Sequence, residues 1–171
     1  MFNYFVKRLN IFVLLYNNFE TMNRLHRKQF IPISQEQAWE FLSEPKNLKT
    51  ITPDYMGFDI ISGADRKMFP GQIIEYRVSP LLGLKMKWVT EITHVVDGKY
   101  FVDEQRFGPY SFWHHKHFIT PVENGVEMED IIDYQLPLGI LGDIANALHV
   151  KKQLKNIFDY REKKLVELFG K

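Results

Sequence analysis

Residues 126–169 read VEMEDIIDYQLPLGILGDIANALHVKKQLKNIFDYREKKLVELF, and within them the hydrophobic period changes from that of a strand to that of a helix. Alternation over 126–136 predicts a strand with one buried face. From Gly142-Asp143, which we interpret as the helix cap, no proline interrupts the chain up to Phe169. The predicted helix of roughly 26 residues is about 39 Å long, enough to lie across a sheet. Its apolar stripe comprises Ala147, Val150, Leu154, Ile157, Phe158, Leu165 and Leu168.

Five segments upstream also have a period of two and are predicted to be strands. They lie at 58–62, 72–78, 85–96, 100–106 and 111–120. Turn sequences such as Asp97-Gly98 and Asn124-Gly125 separate them, so the strands are expected to form an antiparallel meander.

The chain begins its regular structure with a first strand, predicted over 24–33, and two short helices. Ser34 is a good N-cap for the first helix, which runs to about Ser43. Pro45 opens the second helix, which must stop before Pro53.

This order of elements predicts an α+β fold. A curved antiparallel sheet of about seven strands would wrap around the long C-terminal helix, with two short helices after the first strand. One helix cannot fill the concave side of such a sheet, so a cavity is expected between the sheet and the helix.

Composition excludes several classes of function. With 22 Lys plus Arg against 21 Asp plus Glu, the chain has no global charge for binding nucleic acid. It has no cysteine, which rules out disulfides, thiolate metal sites and thiol nucleophiles, and is typical of a cytoplasmic protein. Phosphate-binding glycine loops and the G-x-S-x-G elbow of many hydrolases are also missing, and no cofactor is predicted.

Residues 1–21 are interpreted as an N-terminal extension, and residues 22–171 as the ligand-binding domain. A basic start precedes an apolar run at 9–16, yet no small-residue cleavage site follows it. The run is too short to span a bilayer, so no stable membrane insertion is expected. A dispensable or mis-started leader, an ordered extension, and a targeting segment are the three alternatives.

A chain that starts at Met22 is expected to be soluble and to keep the thermal midpoint of the full chain, because strand patterning begins only after that residue. Thermal unfolding of the two chains side by side checks this. A stability loss of several kcal/mol in the shorter chain would instead show that the extension packs on the core.

Several sequence runs resemble the START/polyketide-cyclase superfamily, also called SRPBCC or helix-grip proteins. The most telling run is FVDEQRFGPYSFWHHKHF at 101–118, supported by P-x-x-L-x-x-I-T-P at 45–53, W-x-T-x-I at 88–92 and Y-x-L-P-L-G-x-L-G at 134–142. The resemblance covers about residues 22–169 and is greatest to bacterial ligand-binding members, some of which carry the label "cell division inhibitor". It implies a helix-grip fold and a cavity for a hydrophobic molecule, lipid-like or polycyclic.

Trp113, His115 and His117 are the first candidates for a functional site. Residues two apart on a strand point to the same face, so these side chains form a row. The two histidines could orient a ligand, transfer protons, or bind a metal with Asp130 or Glu104 as a third ligand. Without a thiolate or an assured third ligand, we expect at most weak zinc binding and predict no metal site.

Charged residues at 103–106 and at position 130 form a second candidate set. Alternation sends Asp103 and Gln105 to one face and Glu104 and Arg106 to the other, so one pair is expected inside. Asp130 lies in an apolar run and is expected to pair with Arg106 or with a histidine, or else to have a raised pKa.

Arg161 interrupts the apolar stripe of the long helix. It is either an arginine that extends its charged end to solvent or a positive group at the cavity rim that binds an anionic ligand group. The residues predicted to bind the ligand are Trp88, Gln105, Trp113, His115, His117, Asp130, Phe158 and Arg161.

Three functions are compatible with these features. The chain is predicted to bind a hydrophobic small molecule as its partner. Alternatively it is a cyclase- or aromatase-like enzyme that uses His115, His117 and Asp130 for acid–base chemistry. The third alternative is a protein-interaction module with a filled core. Catalytic turnover distinguishes the first two, and the sequence does not predict the oligomeric state.

Overall fold

A computed structural model of the chain describes residues 22–81 and 84–170, and residues 1–21, the predicted extension, lie outside this part. Its strands form one antiparallel sheet in the order β1-β7-β6-β5-β4-β3-β2. The strands are β1 (Asn23–Ile31), β2 (Asp59–Ser62), β3 (Gln72–Leu81), β4 (Leu84–Val96), β5 (Tyr100–Phe107), β6 (Phe112–Val122) and β7 (Gly125–Gln135). The predicted sheet is therefore confirmed, and no predicted strand end differs from the observed one by more than three residues.

Two short helices follow β1, as predicted. Helix α1 spans Gln35–Leu42, and its N-cap Ser34 accepts a hydrogen bond from the Gln37 amide while the Gln37 side chain accepts one from the Ser34 amide. This reciprocal capping sets the start of the helix. The second helix is a 3₁₀ turn over Pro45–Lys49, and a further 3₁₀ turn spans Asp54–Met56.

The C-terminal helix is long, but two details of its prediction are wrong. It begins at Ile140, so Gly142 lies inside its first segment, α2 (Ile140–Ala145), rather than at a cap. A π-helical turn over Asn146–Val150 then joins α2 to α3 (Lys151–Phe169). A π turn inserts an extra residue and changes which face the following side chains occupy, which a search for regular helical spacing does not detect.

The concave face of the sheet packs against α3 in two places. Near its C-terminal end, Leu165 joins Ile31, Val126 and Met128 in an apolar cluster. Nearer its N-terminal end, Leu154 and Phe158, together with Val150 from the π turn, belong to a second cluster that contains Trp113, Ile132 and Tyr134. Between these clusters lies a polar stretch of the inner sheet face, which includes the candidate site.

Within the part of the chain that the structure describes, no helix has both the length and the apolar character needed to cross a bilayer.

Candidate functional site

A cavity of about 160 Å³ lies between the inner face of the sheet and α3. Its walls are mostly apolar or aromatic, and three rings meet at one side: the Trp113 ring centroid lies 5.2 Å from that of Trp88 and 4.8 Å from that of Tyr110. The ring of Phe158, from α3, forms part of the opposite wall. The space is therefore shaped chiefly by aromatic surfaces.

A group of charged and titratable side chains interrupts this apolar wall. Asp103, His115, His117 and Arg161 all line the cavity there. Asp130 lies beside the two histidines but is not part of the cavity wall. We call Asp103, His115, His117 and Asp130 the His–Asp cluster.

Strand register brings the His–Asp cluster together. Asp103 on β5 is opposite His115 on β6, and His117 on β6 is opposite Asp130 on β7. The two histidines are separated by one residue, so both point to the concave face, as the sequence predicts. Their ring centroids lie 3.6 Å apart, with a carboxylate on either side of the pair.

Each imidazole lies between the two carboxylates. His117 places Nε2 2.8 Å from Asp103 Oδ2 and Nδ1 2.9 Å from Asp130 Oδ1. His115 places Nε2 2.9 Å from Asp130 Oδ1 and Nδ1 3.5 Å from Asp103 Oδ2. A doubly protonated His117 can therefore donate to both aspartates at once.

Burial and hydrogen bonding divide the protons among these groups. Burial opposes ionisation of Asp103 and Asp130, but hydrogen bonds and charge from His115 and His117 outweigh it, so the pKa of each aspartate lies below its ordinary value. Burial, together with the charge of His117, lowers the pKa of His115 to about 4. Burial also acts against the charged form of His117, yet its hydrogen bonds to both aspartates raise its pKa. The cluster thus favours two carboxylates, a cationic His117 and a neutral His115.

Arg161 is directed into the protein rather than extended to solvent. Its side chain is 11% exposed, its guanidinium lies 3.8 Å from Asp130 Oδ1, and the guanidinium carbon is 4.5 Å from the centre of the Phe158 ring. Its Nε atom is buried and has no hydrogen-bond partner among the described residues. Of the two interpretations from sequence, its position corresponds to that of a positive group facing the cavity.

The structure separates the predicted site residues into two groups. Six of them line the cavity: Trp88, Trp113, His115, His117, Phe158 and Arg161. Gln105 is not in the wall, because its amide group is bonded to the backbone of Tyr110 through both its oxygen and its nitrogen. Asp130 pairs with the histidines and not with Arg106, which bonds to Glu91 and Glu104 on the other face of the sheet.

Asp103 is the member of the His–Asp cluster that the sequence prediction did not select. Alternation placed it on the same face as Gln105, and the predicted site included only the glutamine. The contact between Asp103 and His117 could have been predicted only from the pairing of β5 with β6. This pairing brings the carboxylate and the imidazole to the same place on the sheet. The interaction of Trp113 with Asp103, which helps to lower the pKa of that aspartate, depends on the same pairing.

Solved structures with the same fold include a START superfamily protein from Mycobacterium smegmatis, with a TM-score of 0.63 and 12% sequence identity, over 86% of this chain and 99% of that one. A protein from Chromobacterium violaceum has a TM-score of 0.64 and 14% identity, over 86% of this chain and 97% of its own. A protein from Thermus thermophilus has a TM-score of 0.62 and 15% sequence identity, over 85% of this chain and 99% of its own.

The sequence matches no protein-family profile and no curated protein sequence. At these low identities, the structural similarity shows that the fold is START-like, as predicted, and carries no information on activity.

Proposed function

We propose that this chain, which has the fold of START superfamily proteins, binds a small apolar molecule in the cavity between its sheet and α3. The observation that carries the proposal is the combination of a largely aromatic cavity with a compact group of charged and titratable side chains on its wall. Ligand sites have this character in general, because apolar walls provide affinity and a few polar groups orient the ligand.

The volume of the cavity narrows the choice of ligand. A cavity of about 160 Å³ is close to the roughly 150 Å³ that accepts benzene in an engineered protein core. It is smaller than the roughly 300–1,000 Å³ of pockets for drug-sized ligands. A single aromatic ring therefore fits, whereas a lipid-like or polycyclic ligand requires the cavity to expand.

The polar groups favour a ligand with one polar substituent. Arg161, whose buried Nε has no hydrogen-bond partner among the described residues, can donate a hydrogen bond, and Asp103 can accept one, at the same end of the cavity. A ring that carries a hydroxyl or carboxyl group can thus place its apolar part against Trp113 and its polar group against the His–Asp cluster.

Fluorobenzene, followed by ¹⁹F NMR with the full chain, tests whether the cavity accepts a single ring. The native protein is expected to bind it, and Trp113→Ala is expected to weaken binding by about tenfold or more, since the ring loses contact with the indole. Lys163→Ala, an exposed position on α3, is the control and is expected to leave binding unchanged.

Cooperative thermal unfolding of each variant must accompany the titration, because a molten form also binds apolar probes. If the native protein binds no single-ring compound, the ligand-binding proposal fails and the interaction-module interpretation replaces it. Native mass spectrometry of the purified full chain would identify a co-purified ligand by its mass.

A second candidate function is an enzyme of the cyclase or aromatase type. The observation that favours it is the pairing of two cavity-facing histidines with buried carboxylates, because such pairs can accept and return protons. Conversion of a bound ligand distinguishes the two proposals: a carrier returns its ligand unchanged, and an enzyme does not.

A further inference from the structure

The three members of the His–Asp cluster that face the cavity converge on one point. One ligand atom from each of Asp103, His115 and His117 lies within 4.8 Å of the other two. We propose that these three residues form a binding site for a divalent transition metal ion such as Zn²⁺, and that Asp130 orients the two imidazoles from behind.

The distances suit a metal of this size. A tetrahedral ion with bonds of about 2.0–2.1 Å holds its ligand atoms roughly 3.3 Å apart. Asp103 Oδ2 lies 2.8 Å from His117 Nε2 and 3.5 Å from His115 Nδ1. Binding of the ion displaces the Nε2 proton of His117 to solvent. Because the three ligand atoms already lie within 4.8 Å of one another, small side-chain movements then bring them to bonding distance of one ion.

The other nitrogen of each imidazole is already held by the same carboxylate. His115 Nε2 and His117 Nδ1 both lie 2.9 Å from Asp130 Oδ1. Histidines that bind metals usually donate their second N–H to a carboxylate or carbonyl oxygen, which sets the ring orientation and raises the basicity of the ligand. Asp130 occupies that position for both rings.

The type of ligand and the local charge favour a transition metal over calcium or magnesium. Two imidazoles and one carboxylate match the preferences of zinc and its neighbours, whereas calcium and magnesium take oxygen ligands. The guanidinium of Arg161 pairs with Asp130. It therefore does not neutralise the carboxylate of Asp103, which can offer its negative charge to the ion. Because Asp103, His115 and His117 line the cavity, a fourth coordination position would face its interior.

This inference revises the expectation of weak zinc binding. That expectation depended on the lack of an assured third ligand, and neither Glu104 nor Asp130 takes that role here. Glu104 is bonded to Arg106, and Asp130 lies behind the rings. Asp103 provides the missing carboxylate.

Zinc titration of the full chain by calorimetry, after dialysis against a chelator, tests the site. We expect one Zn²⁺ per chain with a micromolar or smaller dissociation constant. Asp130→Asn should weaken binding by about 10–100-fold, as removal of an orienting carboxylate does in other sites. Asp103→Asn, which removes a direct ligand at nearly constant volume, should weaken it at least as much.

His114→Gln is the matched control, because His114 neighbours both ligands on β6 but lies near Glu104, away from the cavity. It should bind zinc like the unaltered chain. X-ray absorption of the zinc-loaded unaltered chain needs no variant and should show two imidazoles and a carboxylate around the ion.

The proposal is overturned if the unaltered chain binds no stoichiometric zinc, or if the absorption spectrum shows fewer than two imidazoles. Equal binding by Asp103→Asn and the unaltered chain, or loss of binding in His114→Gln alone, would assign the ion to surface histidines instead. These measurements use no organic ligand, so their failure does not decide whether the cavity binds one.

Discussion

Asp130→Ala is expected to lower the free energy of unfolding by about 3–5 kcal/mol, the range found when one partner of a buried ion pair is removed. Asp130 is 8% exposed and is the shared partner of His115, His117 and Arg161. Without it, a cationic His117 keeps only Asp103, and Arg161 loses its nearest carboxylate. Urea unfolding at neutral pH in the presence of a chelator measures the loss.

Glu129→Ala is the matched control for this variant. Glu129 neighbours Asp130 on β7, but it pairs with the half-exposed side chains of His26 and Lys28 on the outer face of the sheet. Surface pairs of this kind contribute at most about 1 kcal/mol. An equal decrease in the free energy of unfolding in the two variants would show that the buried ion pairs of Asp130 stabilise the fold no more than a surface pair does.

Phe158→Ala is expected to destabilise the fold by about 3–5 kcal/mol, because it removes a buried aromatic ring and leaves an empty volume. Phe158 is 5% exposed, its ring centroid lies 5.9 Å from that of His115, and the guanidinium of Arg161 lies over its face. The same change enlarges the cavity. The variant should therefore bind naphthalene, a two-ring compound, more tightly than the unaltered chain does.

Val166→Ala on the same helix is the control for Phe158→Ala. Val166 is 52% exposed, so its truncation should change stability by no more than about 0.5 kcal/mol. Urea unfolding gives both stabilities, and thermal shift with added naphthalene reports binding. A Phe158→Ala variant as stable as the unaltered chain would mean that this part of α3 packs loosely on the sheet.

The order of elements could be predicted from the sequence because it depends on local patterns. Side chains alternate along a strand with a period of two, so the side chains of Trp113, His115 and His117 had to share a face. The same reasoning placed Asp130 among buried apolar neighbours on β7, where the structure has it. Short turns between strands made the sheet antiparallel, and the long apolar stripe near the C-terminus predicted the helix that covers it.

The composition of the site was decided by tertiary structure. Asp103 lines the cavity and Gln105 does not. The reason lies in the turn between β5 and β6, where the Gln105 side chain is hydrogen-bonded to the Tyr110 backbone. The pairing of β5 with β4 shifts register twice, between Val89 and Thr90 and between Ile92 and His94, and alternation alone does not reveal such shifts.

The direction of Arg161 was likewise beyond the reach of sequence patterns, since the chemistry of its side chain allows both a solvent-exposed and a buried position. Packing of α3 against β7 brings its guanidinium to Asp130, and the buried carboxylate stabilises the charge there. Periodicity thus determined which residues share a face of a strand or helix, because that depends on backbone geometry within one element. Which faces meet, and at which atoms, depended on strand register and helix packing, because these are set by contacts between residues far apart in the chain.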